Sequence, residues 1–218
     1  LGHFNIVDQK IVNTGIWKLF AISIGCSFLF LSGISFWLAS TDGINIRKFF
    51  FRLMILIAAA LLVTLGTYQA DPNTFVFFGI LHLLAACTLL GLLIHRLPSF
   101  LLVAIGVFII VGKTYLMSDY FQPKYLSWTG LFPGPTGSVD FYGFFPWSAA
   151  YIFGLGFAKM GVGIRSGIIW QTGPLFARSN RKNIFRSAFF WIGRNSLLVY
   201  LIHQPILMGV IFGYLNYL

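Results

Sequence analysis

Six stretches of the chain are apolar with few interruptions: Trp17–Ser40, Phe49–Thr67, Phe75–Ile94, Ser99–Tyr115, Phe144–Gly161 and Ala188–Tyr214. A hydrocarbon core of roughly 30 Å takes about 20 residues of α-helix to cross, and these stretches are of that order. The pattern predicts an all-α, polytopic transmembrane helix bundle of about six spans, forming a single membrane domain over residues 1–218. Short connections join the spans, apart from longer loops at 116–143 and 162–187. Pro123, Pro133-Gly134-Pro135 and Gly137 gather in the first of these, which is predicted to be irregular, surface-facing and a candidate lid.

Composition narrows the reading further. Hydrophobic residues make up 58% of the 218 and charged residues 9%, against roughly 25% charged in a typical soluble domain. A water-soluble fold has nowhere to place that apolar surface. The net charge of +10 does not point to nucleic acid, because the basic residues lie between apolar segments and form no basic tail or aromatic-interleaved patch. They set topology instead, since Lys and Arg in short loops stay cytoplasmic. Ten fall on one side: Arg47, Lys48, Arg52, Arg96, Lys159, Arg165, Arg178, Arg181, Lys182 and Arg186. Four fall on the other: Lys10, Lys18, Lys113 and Lys124. Both ends of the chain then face outward. A six-span chain with its first residue outside needs something upstream to carry that end across, so at least one further helix is expected before Leu1. No basic n-region or cleavage site opens the sequence as in a signal peptide. Cys26 and Cys87 sit in uncharged stretches and show neither disulfide nor metal-ligand spacing, so both are read as packing residues.

Ionisable groups inside a bilayer are costly, about 2.5–3.5 kcal/mol for Arg on insertion scales, and each is a functional candidate. Lys18, Arg52, Lys113 and Lys159 lie within three residues of a span end, and three such groups lie deeper: His82, Arg194 and His203. Gly79, His82 and Ala86 share a small-residue stripe that would admit a neighbouring helix and turn His82 into the bundle. In the sixth span Gly193, Ser196, Tyr200 and His203 share another, followed by the helix-bending Pro205. The topology puts His82 about 10 Å below the outer edge, His203 near mid-membrane, and Arg194 a turn or two above the cytoplasmic face. The plain alternative stands beside each: a histidine bonded to a neighbouring helix, an arginine snorkelling to the interface.

Several stretches, taken together, resemble the multi-pass acetyltransferase family typified by heparan-α-glucosaminide N-acetyltransferase, especially its compact bacterial members. They are Phe28-Leu29-Phe30-Leu31-Ser32-Gly33-Ile34-Ser35, Phe78-Gly79-Ile80-Leu81-His82, Asp140 with Phe145-Pro146-Trp147, and Gly193-Arg194-Asn195-Ser196-Leu197 running on to Tyr200-Leu201-Ile202-His203-Gln204-Pro205. His3-Phe4 resembles the pair that closes the family's first helix. That helix itself does not appear in the sequence, in line with the missing span inferred from charge.

The resemblance implies transfer of an acetyl or short acyl group from cytoplasmic acyl-CoA, as donor, to a sugar amine or hydroxyl on the far side. It also implies a multi-pass protein of the plasma membrane, a bacterial inner membrane above all, with the lipid bilayer and a glycan acceptor as partners, no nucleic acid, no metal, and a homo-oligomer left open. Arg47, Arg52 and Arg194 would hold the donor's phosphates while its arm threads inward. His203, His82 and His3 are the candidates for base or nucleophile, because neutral imidazole does either near pH 7. Asp140 would orient a histidine or bind sugar hydroxyls, and Trp147, Tyr142 and Tyr200 would contact the substrate. For Trp147 and Tyr142 an interfacial aromatic belt is the bland alternative. His95, at the cytoplasmic end of its span, is assigned no catalytic role. Gly154 and Gly156 read as a helix-packing pair, since neither a lysine motif nor a strand accompanies them. No Gly-x-Ser-x-Gly elbow is present. A small-solute or proton-coupled transporter and a non-catalytic scaffold are the rival classes.

Overall fold

A computed structural model describes residues 15–41, 43–134, 137–138 and 140–163. All of them lie in the first of two compact units into which the chain divides, Leu1–Ser166 and Gly167–Leu218. The sixth predicted span, with Arg194, Tyr200 and His203, lies outside the described residues, as does His3.

The described chain is helical, with no strand among the described residues. Its elements are α1 (Gly15–Ser40), α2 (Ile46–Ala70), α3 (Ile80–Ile94), α4 (Ser99–Leu116), a 3-10 turn (Asp119–Phe121), the single-turn α5 (Lys124–Ser127) and α6 (Phe144–Gly163). Five of the six predicted spans are thus helices, and α1, α2 and α4 are long and apolar enough to cross a membrane. Local chemistry sets the boundaries. Gly43, at φ 95°, turns the chain between α1 and α2, and the Asn45 side chain caps α2 by accepting the Lys48 N–H at 3.1 Å. Pro98 precedes α4 in an extended conformation. In α6 the residue Phe145 is extended (φ −90°, ψ 129°), so the regular helix starts at Pro146, a position that suits proline's missing N–H.

At the centre lies α6, packed on one side against α1 and on the other against α4, while α3 touches α1, α2 and α6. Ser148, Ala149, Tyr151, Ile152 and Leu155 of α6 are buried. Glycine makes the close crossings. Gly33 of α1 faces the backbone of Tyr151 and Leu155, and Gly154 of α6 faces the backbone of Phe30, so the two helices meet main chain to main chain. Gly106 of α4 receives the Phe153 ring, and Gly156 lies on Leu102. The pair at Gly154 and Gly156 therefore packs two different helices. Away from this core, α2 exposes Phe50, Phe51, Met54, Leu61, Leu62 and Leu65, an apolar face that a bilayer accommodates and water does not.

The third helix departs from its predicted start. Sequence places the span at Phe75, but α3 begins five residues later, and its 15 residues rise only about 22 Å. Residues 75–79 are irregular, and backbone at such depth survives only where protein satisfies it. Two hydroxyls of α2 do so: Val76 donates its N–H to Thr67 Oγ1 at 3.0 Å, and its carbonyl accepts from Thr64 Oγ1 at 2.7 Å. The loop after α4 supplies the rest. Tyr142 N–H donates to the Phe78 carbonyl at 3.1 Å, and Ser138 Oγ to the Phe75 carbonyl at 3.0 Å. These contacts put the α2–α3 connection and the 116–143 loop at one end of the bundle, as the charge-based topology requires. That loop is irregular as predicted, but it is not wholly surface-facing, because Ser127 and Leu131 are buried.

Candidate active site

His82 occupies the first turn of α3, and its partners identify its tautomer. The Gly79 N–H donates to Nδ1 at 3.3 Å, which requires Nδ1 to carry a lone pair. The ring proton therefore sits on Nε2, 3.2 Å from Thr64 Oγ1. That hydroxyl accepts it, because its own hydrogen goes to the Val76 carbonyl. The ring is half-buried and turned toward α2, with Phe78 at 5.8 Å between centroids. His82 thus points into the bundle, but the neighbour at its small-residue stripe is not another helix: Gly79 faces the loop residue Asp140.

A Cβ at Gly79 would lie 2.6 Å from Asp140 Oδ2 and 2.8 Å from Val76 Cγ1, so only glycine lets this carboxylate reach the helix. Asp140 accepts the Ile80 N–H, a donor otherwise left without a partner at the start of α3, and lies at the positive end of the helix dipole. Burial pushes the Asp140 carboxyl above the usual carboxylate range, and the Ile80 hydrogen bond pulls it part of the way back. Next along the chain, Tyr142 lies against Gly25 of α1, where a Cβ would be 2.9 Å from Cε1. Its phenol is raised mainly by burial, and further by the nearby carboxylate of Asp140. The Tyr142 and Trp147 rings are 4.6 Å apart and pack on the core, half-buried rather than displayed on an outer rim.

Four residues predicted from sequence, His82, Asp140, Tyr142 and Trp147, therefore gather at one end of the bundle. Arg47 and Arg52 are exposed at the other end, in the first two turns of α2. They precede Thr64 by roughly 26 and 18 Å of helix, so neither reaches His82. Lys159, expected only as a topology signal, reaches across from α6 to the end of α3. It donates to the His95 carbonyl at 3.0 Å and the Leu97 carbonyl at 2.6 Å, while lying 4.9 Å from the centre of the Trp37 ring. Thr64 is a further member that sequence reasoning misses; two hydroxyls one turn apart in an apolar span, Thr64 and Thr67, are the signal that marks it.

The family model described as heparan-alpha-glucosaminide N-acetyltransferase, catalytic, matches residues 1–205. The chain belongs to this family. No curated protein and no solved structure matches it. Membership of the heparan-α-glucosaminide N-acetyltransferase family makes the chain a membrane-embedded acetyltransferase, and the helices long enough to span a bilayer agree with that. The matched range also takes in His3, Arg194, Tyr200 and His203.

Proposed function

We propose that this protein moves an acetyl or short acyl group from cytoplasmic acyl-CoA to an amine or hydroxyl of a sugar on the extracytoplasmic side. The observation that carries the reading is the separation of chemistries along one bundle: exposed Arg47 and Arg52 at the basic end, and His82, Asp140, Tyr142 and Trp147 together at the opposite end. A polyanionic donor is attracted to the first set and an uncharged acceptor meets the second. In transfer the acceptor's nucleophilic atom attacks the thioester carbonyl carbon, the C–S bond breaks, and the thiol leaves with a proton. His82 in its Nε2–H tautomer offers a hydrogen-bond donor, so its role is to hold the carbonyl oxygen as negative charge develops there, taking the place of Thr64 as acceptor. Removal of the acceptor's proton then falls to His203 or His3. Asp140 positions His82 by anchoring the start of α3, and Arg194 joins Arg47 and Arg52 on the donor. Tyr200, Tyr142 and Trp147 flank the acceptor.

The test uses the purified full-length chain in detergent. Acetyl-CoA is expected to raise the melting temperature saturably, with the shift lost in Arg47→Ala and Arg52→Ala, while His82→Ala and His203→Ala keep the shift and lose transfer. No shift and no consumption of any acyl-CoA, combined with dissipation of a solute gradient in vesicles, would establish a transporter instead.

A further inference from the structure

Tyr142 and Trp147 border the site from within the core, half-buried, whereas a ring on which a sugar stacks needs an open face. Trp128, at the end of α5, has one and is 40% exposed. Its ring stands 6.0 Å from that of Phe78, which in turn stands 5.8 Å from the His82 ring. Phe144 meets it edge-on at 6.2 Å. A single aromatic ring therefore separates the open indole from the imidazole.

Backbone contacts hold Trp128 in this position. Phe144 N–H donates to the Trp128 carbonyl at 2.9 Å, and Phe145 N–H to the Thr129 carbonyl at 2.7 Å. Gly130, at φ 76°, lets the same segment pass main chain to main chain against Gly143 and Phe145. Trp128 is thus fixed to the start of α6, a few residues from Asp140. Tyr120 and Tyr125 of the same loop are different: they are 74% and 76% exposed, and Tyr120 meets the ring of its neighbour Phe121. An interfacial belt accounts for such residues. It gives no reason for a tryptophan pinned to the entry of α6 and packed on the neighbour of His82.

The face of an indole is flat, apolar and electron-rich. The acceptor chemistry that matches it is the C–H face of a pyranose ring, whose hydroxyls stay turned toward water. We propose that Trp128 is the binding platform for the acceptor: the sugar ring stacks on the exposed indole, and its amine or hydroxyl is thereby brought to the His82 side of the cluster. This assignment rests on the function proposed above and narrows the acceptor to a cyclic sugar.

The experiment assays the full-length protein, Trp128→Leu and Trp128→Tyr with acetyl-CoA and two amines. Glucosamine offers a ring face; serinol, an acyclic amino diol, offers none. Trp128→Leu keeps apolar bulk against Phe78 and Phe144 but has no aromatic face, so KM for glucosamine is expected to rise about two- to tenfold. KM for serinol and the melting shift produced by acetyl-CoA are expected to stay the same. Trp128→Tyr restores a ring and is expected to fall between the parent and Trp128→Leu. Equal changes for both amines, or no change, overturn the assignment and leave Trp128 a packing residue or interfacial anchor. A parent that acetylates serinol as well as glucosamine overturns it too. Should the parent neither bind nor consume acetyl-CoA, the functional reading itself fails, an outcome distinct from these. If Trp128→Leu does not fold, a rise confined to glucosamine in Trp128→Tyr decides.

Discussion

Two glycine-to-alanine changes in this chain are expected to have opposite signs. At Gly33 the new Cβ would lie 2.8 Å from Leu155 N and 3.0 Å from the Tyr151 carbonyl carbon, and would overlap the Tyr151 carbonyl oxygen. These are backbone atoms of α6 and cannot rotate away, so α1 must retreat by about half an ångström or more along its main contact. Overpacking of this kind costs about 1–3 kcal/mol. For a chain of this length each kcal/mol moves the midpoint by about 2–4 °C, so Gly33→Ala is expected to melt roughly 2–12 °C lower. At Gly66, in the exposed part of α2, a Cβ meets nothing within 4 Å. There the change only improves helix propensity, by up to about 1 kcal/mol, and the midpoint is expected to rise by about 1–4 °C. Intrinsic tryptophan fluorescence during a temperature ramp in one detergent reads both. If Gly33→Ala melts at or above the parent, or the two variants shift alike, the backbone-to-backbone crossing of α1 and α6 is wrong.

Asp140 titrates in the folded state above its unfolded value of 3.8, so the folded protein holds a proton that the unfolded chain has already released. Its contribution to stability therefore falls as pH rises from 3.8 through the raised folded value and then levels off. Asp140→Asn is expected to remove that increment in melting curves taken across pH, and a parent that instead gains on the variant over this window contradicts burial as the dominant cause. Thr64→Val keeps the shape but strips both the acceptor of His82 Nε2–H and the donor to the Val76 carbonyl, and is expected to destabilise by about 1–3 kcal/mol for each group left alone. Nitrogen-15 spectra of labelled histidine should show His82 protonated on Nε2, and a proton on Nδ1 refutes the hydrogen-bond order from Gly79 through the ring to Thr64. Lys159→Met retains the stem over Trp37 but loses two charge-assisted bonds, so a melting temperature equal to the parent's would show that the His95 and Leu97 carbonyls do not need it.

Hydropathy alone locates the five long described helices, because a span must be long and apolar whatever it packs against. The exception lies at the start of α3. Phe75–Phe78 is as apolar as the helix that follows, and nothing local to it forbids a helix before Gly79. The irregular backbone is held by Thr64 and Thr67, from another span, and by Ser138 and Tyr142, some 60 residues away in sequence. Long-range hydrogen bonds of this kind leave no periodic trace. The same holds for the site: His82 and Asp140 stand out as ionisable residues near apolar segments, but their joint attachment to the first turn of α3 depends on Gly79 having no side chain.

The short α3 shows how the parts depend on one another. A helix of 15 residues leaves unpaired N–H groups at one end and carbonyls at the other, inside a medium with little water to satisfy them. The start of the helix is met from the loop that leads into α6, and the turn just beyond its end is met from α6 itself. Asp140, just before α6, takes the Ile80 N–H, and Lys159, near its end, takes the His95 and Leu97 carbonyls. Negative charge stands at the N-terminus and positive at the C-terminus, the arrangement the helix dipole favours. His82 is therefore carried on a helix held at its start by Asp140 and just beyond its end by Lys159 of α6, and α6 is itself locked to α1 through Gly33 and Gly154. A loosened crossing at Gly33 should consequently be felt at His82, although no side chain of residue 33 exists to touch it.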